Sequence, residues 1–186
     1  MSDNKLFMLL LGCKPKGRHT EQHDIFFTIG KSLKDIIPDI NAFWPDGGKI
    51  HIDAWREVNA IEGYKISVVR KKANATEKDI KLFFLNLGGY KPGEFEEFHY
   101  KMIVAAKEKS EAINQAKVSA FYLHTGFKGA SSHIDDKYGI DVDDFYKIED
   151  ILPKVQQEKF SIKITASKNA VDDIMKLGYT NLSKIK

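Results

Sequence analysis

The sequence predicts an α+β fold made of two pseudo-symmetric β-β-α-β-β repeats sharing one core, followed by a C-terminal strand-helix tail. Three observations lead there. Leu6-Phe-Met-Leu-Leu-Leu-Gly-Cys13 and Leu82-Phe-Phe-Leu-Asn-Leu-Gly-Gly89 are near copies of one another. Each is followed at identical spacing by a Glu-x-His, at Glu21/His23 and Glu97/His99. Each is followed further on by a His-Ile-Asp, at His51–Asp53 and His133–Asp135. Self-similarity on this scale implies one unit folding twice and burying the same face twice.

Between Leu6–Asp24 and Leu82–Tyr100, eight of nineteen positions are identical at an offset of 76. The offset becomes 78 at Ser32/Ser110 and holds through Ala42-Phe43-Trp44 against Ala120-Phe121-Tyr122. It becomes 82 at the two His-Ile-Asp triplets, after which Tyr64-Lys65-Ile66 matches Tyr146-Lys147-Ile148. Length changes thus fall in two short stretches, which read as loops. The expected organisation is a single domain over 1–186, with repeat one at 5–72, repeat two at 81–152 and an extension at 153–186.

Lys5–Leu11 and Lys81–Leu87 are apolar runs ended by glycine, the length of a strand buried on both faces. His23–Ile29 and His99–Ala105 follow as β-rich segments. Ser32 and Ser110 stand where helix N-caps belong, with helical sequence to Trp44 and Tyr122. Pro38 is expected to kink or split the first of these helices. Ile50–Val58 and Tyr64–Arg70 complete the first repeat as strands. In the second, Asp141–Phe145 and Ile148–Leu152 fit a turn and helix as well as strands. Beyond Pro153, the alternation of Phe160, Ile162 and Ile164 predicts a strand, and Asn169–Leu177 predicts a helix stopped by Gly178.

Composition narrows the classes. A chain of 186 residues, 42% hydrophobic, supports a sizeable core. No apolar run nears the roughly 20 residues of a membrane span, and Met-Ser-Asp-Asn-Lys5 has no apolar signal core. A cytoplasmic protein with no membrane partner is expected. The lone Cys13 has no disulfide or zinc-ligand partner at suitable spacing and reads as a small buried residue. The net charge of +3 divides into +3 over residues 1–81, −4 over 82–152 and +4 over 153–186. Unlike blocks suit intramolecular or self-association contacts at least as well as nucleic acid, which favours one dominant basic stripe with aromatic platforms. No nucleic-acid partner is expected.

The residues that both repeats keep carry any chemistry. Glu21 and His23 are two apart entering a strand, so they project together, and so do His51 and Asp53. If the second and third strands are neighbours, the four converge, and Glu97, His99, His133 and Asp135 do the same. Two imidazoles with carboxylates suit a divalent metal. They equally suit a general acid and base. They also suit a structural role, in which histidines and carboxylates satisfy loop backbone. The loops Gly12–Arg18 and Gly88–Gly93 join two strands and read as plain hairpin loops, not anion cradles. The acidic run Asp135, Asp136, Asp141, Asp143 and Asp144 lacks calcium-loop spacing and reads as a solvated turn.

The doubled Leu-Phe strand ending in Leu-Gly, then Glu-x-His, then His-Ile-Asp, resembles the bacterial domain-of-unknown-function family DUF1543. Its members carry one or two copies of a short domain. The resemblance covers about residues 6–152 and implies two tandem copies and a bacterial source. It implies no activity, cofactor or partner. Two readings stand at this stage: a non-catalytic binding or structural module, and a small metal-dependent or acid/base enzyme using the repeated Glu, His and Asp residues.

Overall fold

The computed structural model of the chain describes residues 3–72, 79–90, 93–118, 141–171 and 173–186. The chain forms two compact units: Met1–Ala75 together with Ile151–Lys186, and Thr76–Asp150. The described elements are antiparallel strands and short helices, an α+β protein. Among the described residues no helix is long and apolar enough to cross a membrane.

In the first unit, β1 (Lys5–Cys13) and β2 (Gln22–Gly30) form the expected hairpin. β3 (His51–Glu57) pairs with the other side of β1, and a C-terminal strand (Lys176–Asn181, β10) pairs with β3. The order is β10-β3-β1-β2. Alternation on β1 sends Phe7, Leu9, Leu11 and Cys13 into a core with Phe26, Ile36, Ile40, Ile50 and Ile52.

The helix expected over 32–44 is shorter. α1 is Ile37–Phe43, with Pro38 in its first turn. There the missing N–H has no partner to lose, so proline starts the helix and does not kink it. Ser32 lies outside, its Oγ accepting from the Asp35 N–H at 3.3 Å.

A second sheet of the first unit joins β4 (Ala60–Ile61), β5 (Tyr64–Arg70) and β9 (Phe160–Ala166), with β5 and β9 in register from Tyr64↔Ala166 to Arg70↔Phe160. The strand expected at Phe160 is therefore present. The helix expected over Asn169–Leu177 is not: Lys176–Asn181 is strand β10, and the described residues before it are irregular. The backbone groups on the outer edge of β3 need partners, and that long-range pairing outweighs local helix propensity. Gly178 does not stop a helix; its φ of 119° lies where β10 shifts register against β3 between Leu177 and Thr180.

The edge of β2 is closed by one side chain. Gln156, on the helix Lys154–Lys159 (named α3 here), accepts from the Ile29 N–H at 2.7 Å and approaches the Ile29 carbonyl at 3.1 Å. Its amide thus stands in for a neighbouring strand. The same nitrogen lies 2.9 Å from Thr28 Oγ1 and 2.7 Å from Asp39 Oδ2, and Thr28 donates to Asp39 at 3.0 Å.

In the second unit, β6 (Lys81–Tyr90) stands between β7 (Glu97–Ala106) and β8 (Asp141–Lys147). Of the acidic run, Asp141, Asp143 and Asp144 are therefore in a strand and not a turn, while Asp135 and Asp136 lie outside the described residues; Ile148–Asp150 continues β8 as a 3₁₀ turn. α2 is Lys109–Lys117. Ser110 is inside its first turn and donates to Glu108 at 2.6 Å, while Glu111 accepts from the Lys107 N–H at 2.7 Å. Glu111 thus ties down the chain just ahead of the N-cap residue Glu108, and Ser110 does not cap the helix. Phe83, Leu85, Leu87, Val104, Ala106, Ala112 and Ala116 form the core of this unit.

Gln156→Ala leaves a buried N–H and its polar neighbours unpaired, and is expected to lower stability by about 1–3 kcal/mol. Urea unfolding with an unchanged m-value checks this; a loss below about 0.5 kcal/mol contradicts it.

Candidate functional site

β1 separates β2 from β3, so the strands carrying the candidates are not neighbours. The four side chains meet all the same, because the residue between them has no side chain. Gly12 pairs with His23 on one flank and with His51 on the other. Opposed residues share a face, so both imidazoles stand on the Gly12 face, away from Leu11 and Cys13. Strands two apart are separated by about 10 Å, a gap a middle side chain would fill. A Cβ on Gly12 would lie 2.5 Å from Asp53 Oδ2 and closer still to His51 Nε2.

Asp53 arrives through a bulge. Leu11 pairs with Ile52 and Leu10 with Ala54, leaving Asp53 as the extra residue of β3. Bulges re-aim side chains, and this one sets Asp53 between the rings: Oδ2 is 3.2 Å from His23 Nε2 and Oδ1 is 3.3 Å from His51 Nε2. Glu21 closes the other side, with Oε1 3.2 Å from His51 Nε2 and Oε2 3.8 Å from His23 Nε2. Glu21, His23, His51 and Asp53 therefore form one ring of alternating imidazole and carboxylate.

The ring is open on one side. The His51 side chain is 6% exposed, whereas those of His23 and Glu21 are 44% and 45% exposed. Tyr179 of β10 lies against the His51 ring, centroids 4.3 Å apart and planes at 32°. Asp53 Oδ2 is buried without a hydrogen-bond partner among the described residues; His23 Nε2 approaches it without completing a hydrogen bond. An unpartnered buried oxygen facing other donors marks a place for a ligand. Cys13, on the opposite face, is buried, and burial first and the Glu21 charge second raise its thiol pKa. That favours the protonated, core-packing form over the thiolate that metal binding needs.

The second unit repeats part of this geometry. Gly88 pairs with His99 on β7 and with Asp141 on β8. Leu87 pairs with Val142 and Asn86 with Asp144, so Asp143 is the bulge residue. His99 Nε2 is 3.2 Å from Asp143 Oδ2 and 3.9 Å from Glu97 Oε2. A Cβ on Gly88 would lie 2.8 Å from Asp143 Oδ1 and closer to Oδ2. By strand register, then, Asp141-Val142-Asp143 answers to His51-Ile52-Asp53, at an offset of 90 and not 82. His133 and Asp135 lie outside the described residues. Tyr146 and Lys147 end β8 beside β6, so they do not correspond to Tyr64 and Lys65 of β5.

Sequence reasoning missed Asp143, Tyr179 and the spatial role of Gly12 and Gly88. A signal for Asp143 existed: the order polar, apolar, aspartate is kept in Asp-Val-Asp. No local signal marks Tyr179, which arrives from the tail. His19 is exposed in the β1–β2 loop, and His124 lies outside the described residues.

The family described as Domain of Unknown Function (DUF1543) matches at residues 18–68, a single copy, and that span holds Glu21, His23, His51 and Asp53. Among solved structures, the protein Il1583 from Idiomarina loihiensis is similar, with a TM-score of 0.57 at 20% identity, over 97% of this chain and 99% of that one. The likeness is one of fold. No curated protein matches the chain.

Gly12→Ala forces a methyl group against His51 and Asp53, and is expected to cost about 1–3 kcal/mol and to shift the His23 and His51 imidazole resonances. His51→Ala in the same chain relieves the clash, so the two substitutions couple by about 0.5–3 kcal/mol. Additive losses in a double-mutant cycle contradict the packing described.

Proposed function

We propose that this protein is a divalent-metal-binding module, non-catalytic at its first site, where Glu21, His23, His51 and Asp53 hold one transition-metal ion of the zinc class. The observation that carries the reading is the spacing of the four donors. Around an ion with bonds of about 2.0–2.1 Å, tetrahedral donors sit about 3.3 Å from one another. The four imidazole-to-carboxylate separations here run from 3.2 to 3.8 Å, with each carboxylate turning one oxygen to each ring. Mutual hydrogen bonding would also bring such groups close, yet Asp53 Oδ2 finds no partner that way. Imidazole nitrogen with carboxylate oxygen is a borderline donor set suited to zinc, iron or manganese. Four protein donors fill a tetrahedron, as in structural sites; a catalytic zinc keeps a position open. That closure favours a binding or structural role over an enzyme.

The same proposal treats the two units as tandem copies of one domain, over 5–72 and 81–152. Supporting this are the matching strand order, the glycine in each middle strand and the bulged aspartate opposite it. The segment 153–186 belongs to the first copy's surroundings, through Gln156, β9 and β10.

The chelator-stripped chain is expected to bind Zn²⁺ and to gain thermal stability from it, by about 2.7 kcal/mol at a hundredfold excess over Kd. His51→Ala and Asp53→Asn should each remove one equivalent of Zn²⁺, and Co²⁺ should give a tetrahedral visible spectrum that His51→Ala abolishes. Undiminished Zn²⁺ stoichiometry in both variants, by calorimetry and elemental analysis, refutes the reading.

A further inference from the structure

We infer that the second unit carries its own cation site, built by Glu97, His99 and Asp143, which takes a hard divalent cation of the Mn²⁺ type and leaves coordination positions open to water or an oxyanion. One imidazole nitrogen and one oxygen from each carboxylate all lie within 4.8 Å of one another. His99 is the hub, 3.2 Å from Asp143 and 3.9 Å from Glu97. These separations match those of His23 with Asp53 and Glu21, 3.2 and 3.8 Å, so three of the first site's four donors have counterparts in the second unit. Gly88 leaves room for it as Gly12 does, since a Cβ there would overlap Asp143.

The difference lies opposite the glycine on the third strand. There the first unit has His51, buried and aimed at the carboxylates, and the second has Asp141. One imidazole is thereby exchanged for an acidic residue at that register position. Nitrogen-rich sets suit zinc, and carboxylate-rich sets suit manganese and magnesium. Manganese, taken as nearly octahedral, needs about six donors, and three protein donors leave about three positions for solvent or an added ligand. The side chains of His99, Glu97 and Asp143 are 33%, 40% and 27% exposed, which gives solvent access to the set. Nothing here requires that the first site hold metal.

The test uses the full chain, stripped by chelator and titrated with Mn²⁺ by electron paramagnetic resonance and water proton relaxation; every form but His51→Ala is preloaded with one equivalent of Zn²⁺, since in that variant the unplaced Zn²⁺ would outcompete Mn²⁺ at the second set. Wild type and His51→Ala are expected to bind Mn²⁺ with enhanced relaxation, which inorganic phosphate then reduces by displacing water. Asp143→Asn and His99→Gln should weaken Mn²⁺ by more than the about 10–100-fold typical of losing an outer-shell partner, with unchanged circular dichroism. Mn²⁺ binding that survives in either variant overturns the inference. So does Mn²⁺ binding lost on His51→Ala, or bound Mn²⁺ without relaxation enhancement. If the first-site reading alone fails, Zn²⁺ stoichiometry ignores His51→Ala while Mn²⁺ still depends on Asp143.

Discussion

Two imidazoles on strands about 10 Å apart reach the same pair of carboxylates only because the strand between them presents a hydrogen where every other residue presents a carbon. The geometry of the first unit follows from that vacancy on Gly12. His23 and His51 are opposed across it, and the bulge at Asp53 turns a carboxylate toward it. β1 keeps its core side chains on the other face, so the residues that hold the sheet together and those that form the ring do not compete for space. Leu11 is buried directly beside Gly12 in sequence, and the period of two in a strand sends one inward and the other outward.

The tail shows how much of a small unit is completed from a distance. Gln156 supplies the hydrogen bonds of a missing strand to β2, and Asp173 accepts from the Asn59 N–H at 2.9 Å, ahead of β4. Tyr179 then covers His51. Each contact links residues more than 100 positions apart, at an entropic cost that grows only slowly with the length of the intervening chain. An imidazole packed against an aromatic ring and facing carboxylates loses rotamers it would otherwise sample, so the tail pre-orders the least exposed member of the ring.

Much of this was legible in the sequence, and the failures share a cause. Tyr64–Arg70 matches its expected strand, and the β1 and β6 runs are present, because an apolar run bounded by glycine is a local signal. Glu21, His23, His51 and Asp53 could be named as candidates because their spacing of two is also local. What went wrong depends on pairing. His133-Ile-Asp135 looked like the partner of His51-Ile-Asp53 by identity of three letters, but a third strand is defined by what it lies against, and Asp141 is what lies against Gly88. The helix expected before Gly178 had reasonable propensity, yet the free edge of β3 was invisible without the strand order. Gly12 was seen only as the end of an apolar run; its steric role requires knowing both neighbours at once.

The contrast between the two glycine-centred sites narrows what each is suited to hold. An ion at the first would be shared by two neutral imidazoles and two carboxylates, leaving no net charge on a divalent ion. In the second, Glu97 and Asp143 already supply two negative charges to a single imidazole, in the segment of the chain that carries the net −4. Both sets draw two negative charges from their carboxylates, so the difference is the share of nitrogen: the set with one imidazole favours ions that keep water, and the set with two favours ions that give it up. On the proposed readings, a single exchange at the position opposite the glycine would give the two strand arrangements different metal preferences, with the backbone that presents them left alone.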